Sequence, residues 1–237
     1  MKQRPKINLR CAGLALFATL LVLPATAQTI SPEQDTITPD FAQLPMVTTT
    51  KHHKPGDLVN VGLVGSKDEI TAVMKAADWT VPVPVTLKSS VKIAGSVMLR
   101  HTYYSAPVSS LFYEGRRQDL AFEKEVGRSA SHRHHVRFWK LRDDGPDGRP
   151  LWIGAATFDR GVGISHRNGA VTHHINGDVD AERDFLMAEL NKTSRLVGVY
   201  TVKGAGPVKG KNGGGDVYWT DGNVSLAEIN PGAVQQP

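Results

Sequence analysis

The stretch SHRHHVRFW, residues 131–139, decides how this chain is read. In an extended strand successive side chains take opposite faces. His132, His134, Val136 and Phe138 then share one side, and Arg133, His135, Arg137 and Trp139 share the other. Working outward, residues 116–126, 151–158 and 170–175 carry similar β-rich patterning. Short turns such as DDGPDG and RNG separate them. Connections this short predict an antiparallel meander.

Helices flank the meander. Ser66 followed by Glu69 is a capping box that opens a helix ending near Ala77. Leu87, Val91, Ala94 and Met98 fall along a second helical stripe. In NGDVDAERDFLMAEL, Asp178 is the N-cap of a third helix that buries Val179, Leu186 and Leu190. Residues 58–64 form an early strand and 196–203 a late one, and 217–229 fold back at TDGN, where Asp221 and Gly222 suit a hairpin turn. The expected class is α+β: a single domain with a largely antiparallel β-sheet and about three helices on one side.

The N-terminus reads differently. MKQRPKINLR, the apolar run 11–23 and ATA before Gln28 form a secretory signal pattern, so residues 1–27 are taken as a removable signal peptide. Its apolar run is shorter than the ~18 residues of a spanning helix. No second apolar run of that kind follows, so the mature chain is expected to lack a transmembrane segment and to be periplasmic or secreted. Residues 28–56, rich in Pro, Thr and Gln, read as a flexible leader in which His52 and His53 are solvated, and 230–237 as a flexible tail. The domain is expected over 57–229.

Charge and cysteine narrow the chemistry. Of 28 basic residues, Lys2, Arg4, Lys6 and Arg10 leave with the signal, so 24 face 23 acidic side chains. That balance gives no reason to expect nucleic acid as a partner. The single cysteine, Cys11, also leaves, which excludes disulfides, thiol nucleophiles and thiolate-bound zinc from the mature chain. No G-x-S-x-G elbow occurs, and the glycines of GAGPVKGKNGGGDVYW lack the GK[ST] of a P-loop. The amides of residues 213–215 could alternatively cradle an anion.

Two site readings remain. If the apolar alternates of each strand face the helices, Arg117, Asp119, Glu123, His135, Arg137 and His174 gather on the other face. Arginine forks there suit phosphate or carboxylate, with Asp119 and Glu123 orienting them and the imidazoles donating or shuttling protons. This reading needs no cofactor. Its partner is an anionic small molecule, lipid head group or glycan. The alternative is a metal-assisted hydrolase of phosphoester or ester bonds. Here His132 and His134, two apart on one strand face, join His173, His166, Asp159 or Asp178 around zinc or a similar divalent metal. A charged face that docks an envelope protein is a third course. Whether the chain is an enzyme is left open by these residues.

The blocks GRRQDLAFEKEVG, RHHVRFW, PLWIGAATFDRGVGISH, VTHHINGDVDAERD and GKNGGGDVYWTDG together resemble the LssY carboxyl-terminal domain family. The likeness spans 57–229. It implies a cell-envelope setting, because that domain often follows a membrane phosphatase domain, and phosphorylated lipid or glycan chemistry nearby. It carries no catalytic residue onto this chain. The membrane phosphatase is replaced here by the export signal alone.

Overall fold

The computed structural model describes residues 41–82, 110–127, 132–145, 148–164 and 171–234. The signal segment, the Leu87–Met98 stripe and His166 lie outside the described residues. The order begins β1 (Val47–Thr50), β2 (Pro55–Leu58), β3 (Val61–Val64), α1 (Lys67–Ala76), β4 (Leu111–Tyr113), β5 (Arg116–Arg117) and β6 (Leu120–Glu125). It continues β7 (Arg133–Arg142), β8 (Leu151–Ile164), β9 (Val171–Ile175), α2 (Val179–Lys192), β10 (Leu196–Lys203), β11 (Lys209–Lys211), β12 (Val217–Trp219) and β13 (Asn223–Ile229). The fold is α+β, with one domain built on mostly antiparallel sheet.

A seven-stranded sheet runs β10-β13-β3-β8-β7-β6, with β9 also paired to β8. The expected meander is its β6 to β9 half, antiparallel throughout. β8 is long enough to serve two partners along one edge. Its first residues pair with β3 and its last with β9. β13 lies parallel to β3, Ser225 opposite Val61, while β10 closes the edge antiparallel to β13. Gly154 is required where β8 crosses Phe138, because a Cβ there would sit 2.6 Å from that ring.

One face of this sheet holds the helices. Ser66 Oγ accepts from the Glu69 amide at 3.2 Å and Glu69 Oε2 accepts from the Ser66 amide at 2.7 Å, so the capping box sets the start of α1 as expected. Asp178 accepts from the Ala181 amide and starts α2. Ile70, Val73 and Met74 of α1 and Leu186, Met187 and Leu190 of α2 close over Phe122, Val136, Phe138, Trp152 and Ala156. Asn60, fully buried, locks the layers: its side chain donates to the carbonyls of Ala156 and Val179 and accepts from the Ala156 amide.

The opposite face is not open to water. A four-stranded sheet, β2-β1-β4-β5, and the β11-β12 hairpin complete the other side. Met46, Leu58, Leu111, Tyr113 and Tyr218 pack there with Trp139, Ile153, Ala155 and Ile175. Residues 41–56 are therefore part of the fold, not a flexible leader. Phe41 is wholly buried, and Thr48 bonds the Asp57 carbonyl. The first part of the expected tail is also held, since Ala233 is buried and its carbonyl accepts from Arg195. The fold-back at TDGN exists, with Gly222 at φ 77°, but its arms part: β12 pairs β11, whereas β13 enters the large sheet.

A histidine and aspartate cluster beneath the small sheet

β7 is covered on both faces, by the helices on one and the small sheet on the other, so most of its polar side chains are buried and must find partners. The alternation predicted for it holds: Arg133, His135, Arg137 and Trp139 face the small sheet, while His134, Val136 and Phe138 face the helices. Cross-strand register adds Glu123 and Glu125 of β6 and Thr157 and Asp159 of β8 to the first of these faces. Arg133, fully buried, meets Glu123 at 3.1 Å and Glu125 at 3.4 Å. Arg137 meets Asp57 of β2 at 3.2 Å. Burial pushes the Asp57 carboxyl above its ordinary range, and the guanidinium of Arg137 offsets only part of that.

Asp159 is the centre of the cluster. Its Oδ2 lies 2.8 Å from His135 Nε2 and 2.6 Å from His173 Nδ1. Burial would raise its pKa, but the bonds from His135 and His173 together outweigh burial and hold the carboxyl well below the usual carboxylate range. The ligand atoms of His135, Asp159 and His173 all fall within 4.8 Å of one another. His135 Nδ1 is buried without a hydrogen-bond partner among the described residues. The His173 side chain is 31% exposed, so the cluster reaches solvent on that side. Ile175 stands opposite Asp159 and His173 lies two residues from it, so the apolar face of β9, expected to look at the helices, turns to the small sheet and takes His173 to Asp159.

The wall comes from the β11-β12 loop. His174 Nδ1 lies 2.7 Å from Asp216 Oδ1, and the other oxygen of Asp216 accepts from the Ile175 amide. Asn212 Oδ1 accepts from the Gly214 and Asp216 amides, and its carbonyl accepts from Gly215. Those amides are turned inward on Asn212, so the alternative reading of the glycine loop as an anion cradle does not hold for them. Sequence reasoning missed Asp57 and Asp216. The Asx-type spacing of Asn212 and Asp216 around three glycines was the available signal.

The anion set assembled from alternation is only partly brought together. Glu123, His135 and Arg137 share the face, and His174 stands beside it on Asp216. Arg117 and Asp119 do not join them. The chain changes sheets between β5 and β6, where Gln118 accepts from the Leu111 amide and the Asp119 amide donates to Phe138. One alternation therefore does not run through 116–126. Arg117 is exposed on β5, and Asp119 accepts from Arg116 and the Lys140 amide. Arg137 and Arg133 already bond carboxylates.

The metal set is also redrawn. Asp159 and His173 meet, but His135 completes the group in place of His132 and His134. His132 is exposed beside Phe158. His134 points to the helices, where its ring stacks on Phe185 at 3.9 Å and its Nδ1 lies 2.7 Å from Glu182. Burial pushes the Glu182 carboxyl up despite His134. Asp178 is spent on the cap of α2.

Among the described residues no helix is long and apolar enough to cross a membrane. A family model described as LssY C-terminus matches residues 41–224. No curated protein and no solved structure matches the chain.

Proposed function

The chain belongs to the LssY C-terminus family, and from that premise we propose that it is a metal-dependent hydrolase of ester or phosphoester bonds, with the metal held by His135, Asp159 and His173. The observation that carries this reading is the convergence of two imidazoles on one carboxylate oxygen. A closed structural network satisfies its members, whereas this one leaves His135 Nδ1 buried without a partner among the described residues. Charge supports the same reading. Asp159 is buried with its carboxyl held in the ionised form, a negative charge that a divalent cation between the same two imidazoles would offset. Mixed imidazole and carboxylate donors suit zinc, and three protein ligands leave a position for water or substrate, as catalytic sites require.

Each residue then has a task. His135 and Asp159 fix the ion from the rigid sheet, and half-exposed His173 marks the side from which substrate enters. A bound divalent metal supplies Lewis acidity toward a phosphoryl or carbonyl oxygen and acidifies a water. Asp57, with its raised pKa, is a carboxyl able to carry a proton near the site. The reading takes the protein to act in the periplasm or outside the cell after loss of residues 1–27, supported by the signal pattern of the N-terminus. The anion-binding reading survives as a statement about the substrate, not about Arg117 and Arg137.

Elemental analysis of protein purified without a histidine tag tests this. Stoichiometric zinc, manganese or iron that Asp159→Asn removes is expected, together with chelator-sensitive cleavage of a nitrophenyl phosphate or acetate ester. Protein that neither carries nor takes up such a metal would overturn it.

A further inference from the structure

The turn KHHK, expected to be solvated linker, is the tip of the β1-β2 hairpin. Thr50 closes it: its amide donates to the Lys54 carbonyl, its carbonyl accepts from the His53 amide, and its Oγ1 accepts from the Lys54 amide. His53 takes a left-handed φ of 55°, which leaves Lys51, His52, His53 and Lys54 all exposed. This tip touches the loop of β11-β12, because a Cβ on Gly213 would lie 2.7 Å from Thr50 Cγ2.

The second hairpin carries the same sign of charge. In the register of β11 and β12, Lys209 stands opposite Trp219 and Lys211 opposite Val217, all four exposed while Tyr218 between them is buried. Val208 is 57% exposed, Val217 42% and Trp219 50%. No acidic residue occurs in 47–56 or 204–215. The acids that end those stretches, Asp57 and Asp216, are buried on Arg137 and His174. The molecule therefore presents four lysines and two histidines on adjoining tips, bordered by an exposed indole and two valines.

We propose that these two hairpins form a docking surface for an anionic lipid bilayer. Lysines supply attraction to acidic head groups, and an exposed tryptophan with aliphatic neighbours suits the interfacial zone, where one side of the ring is wet and the other apolar. A glycan or a soluble acidic protein fits less well. Valines offer sugar hydroxyls nothing to bond, and widely spaced cations match a fluid anionic plane. The surface is independent of the metal, so it stands or falls separately from the hydrolase reading. It adds to that reading a substrate presented at a membrane.

The experiment is sedimentation of the full chain with vesicles of phosphatidylcholine alone and of equal parts phosphatidylcholine and phosphatidylglycerol. Residues 1–27, with Lys2, Arg4, Lys6, Arg10 and the apolar run 11–23, are common to every variant, so the difference between the unaltered chain and the hairpin variants is what reports on the hairpins. Tighter binding to the anionic vesicles is expected. Combined Lys51→Glu, Lys54→Glu, Lys209→Glu and Lys211→Glu should lose that preference by roughly a thousandfold. Trp219→Ala should weaken binding without changing its salt dependence. Thermal unfolding of each variant checks that the fold is intact, and blue-shifted emission of Trp219 in the unaltered chain reads insertion without any substitution. Equal binding to both vesicles, an unaltered preference in the lysine variant, or stronger capture by a soluble acidic polysaccharide than by anionic vesicles would overturn the proposal.

Discussion

His134 and His135, neighbours in the chain, meet carboxylates on opposite sides of one sheet: Glu182 at 2.7 Å under α2 and Asp159 at 2.8 Å beneath the small sheet. The two pairs look alike chemically and differ in surroundings. His134 is enclosed by Phe158 and Phe185, while the Asp159 group includes a second histidine open to solvent.

The two pairs should therefore separate under mutation. Asp159→Asn takes away a ligand itself and should lower metal affinity by more than the roughly 10- to 100-fold that loss of a ligand's supporting contact costs. Glu182→Gln keeps a hydrogen bond to His134 and should change stability by only about 1 kcal/mol, with metal content unchanged. Metal content and thermal unfolding measured on both variants check this.

Arg137→Met should cost about 3 kcal/mol or more, because it strands Asp57 in the interior without its guanidinium. Asp57→Asn made in that background should recover part of the loss. Denaturant unfolding of the two single variants and the double variant gives the coupling; simple additivity would show that the pair is not an energetic unit.

Asn60→Ala should destabilise by roughly 3 kcal/mol, since it leaves the Ala156 amide and the Ala156 and Val179 carbonyls without their side-chain partner in the core. Chemical denaturation checks it. A loss below about 1 kcal/mol would show that this residue does not tie α2 to the sheet.

One contribution to the pH dependence lies at the turn before β13. The hydrogen bond from Arg183 holds the Asp221 carboxyl below its ordinary value. A depressed folded-state pKa gives stability that is complete above the unfolded value of 3.8 and disappears as pH falls through the lower folded value. Asp221 is partly exposed, so the contribution is about 1 kcal/mol or less. Asp221→Asn should thus melt earlier than the unaltered chain at neutral pH, and the gap should close on acidification below that range.

The helices and the central meander were legible in the sequence because their signals are local. Ser66 and Glu69 specify a helix start within four residues, and β7 keeps a strict two-residue alternation. The remainder depends on long-range choices. Nothing near Gln118 announces that β5 and β6 enter different sheets, so Arg117 and Asp119 were assigned to a face they do not share. The covering of the polar face by β1, β2 and β4 was equally hidden, since residues 41–56 look disordered in composition and gain their order from burial of Phe41, Met46 and Leu58. The histidine cluster was half visible: alternation placed His135 correctly, but the apolar residues of β9 were expected to face the helices, and with cores on both sides of the sheet that pattern cannot tell which face Ile175 and His173 take.

The seating of β3 between β8 and β13 dictates the order of assembly. One of its flanks is β13, the last strand among the described residues, so a ribosome must pass residue 229 before this early segment can be completed on both edges. Such non-local closure slows folding. Nascent chains ending before residue 223 should remain protease-sensitive, so this domain gains its protection only after β13 has been made.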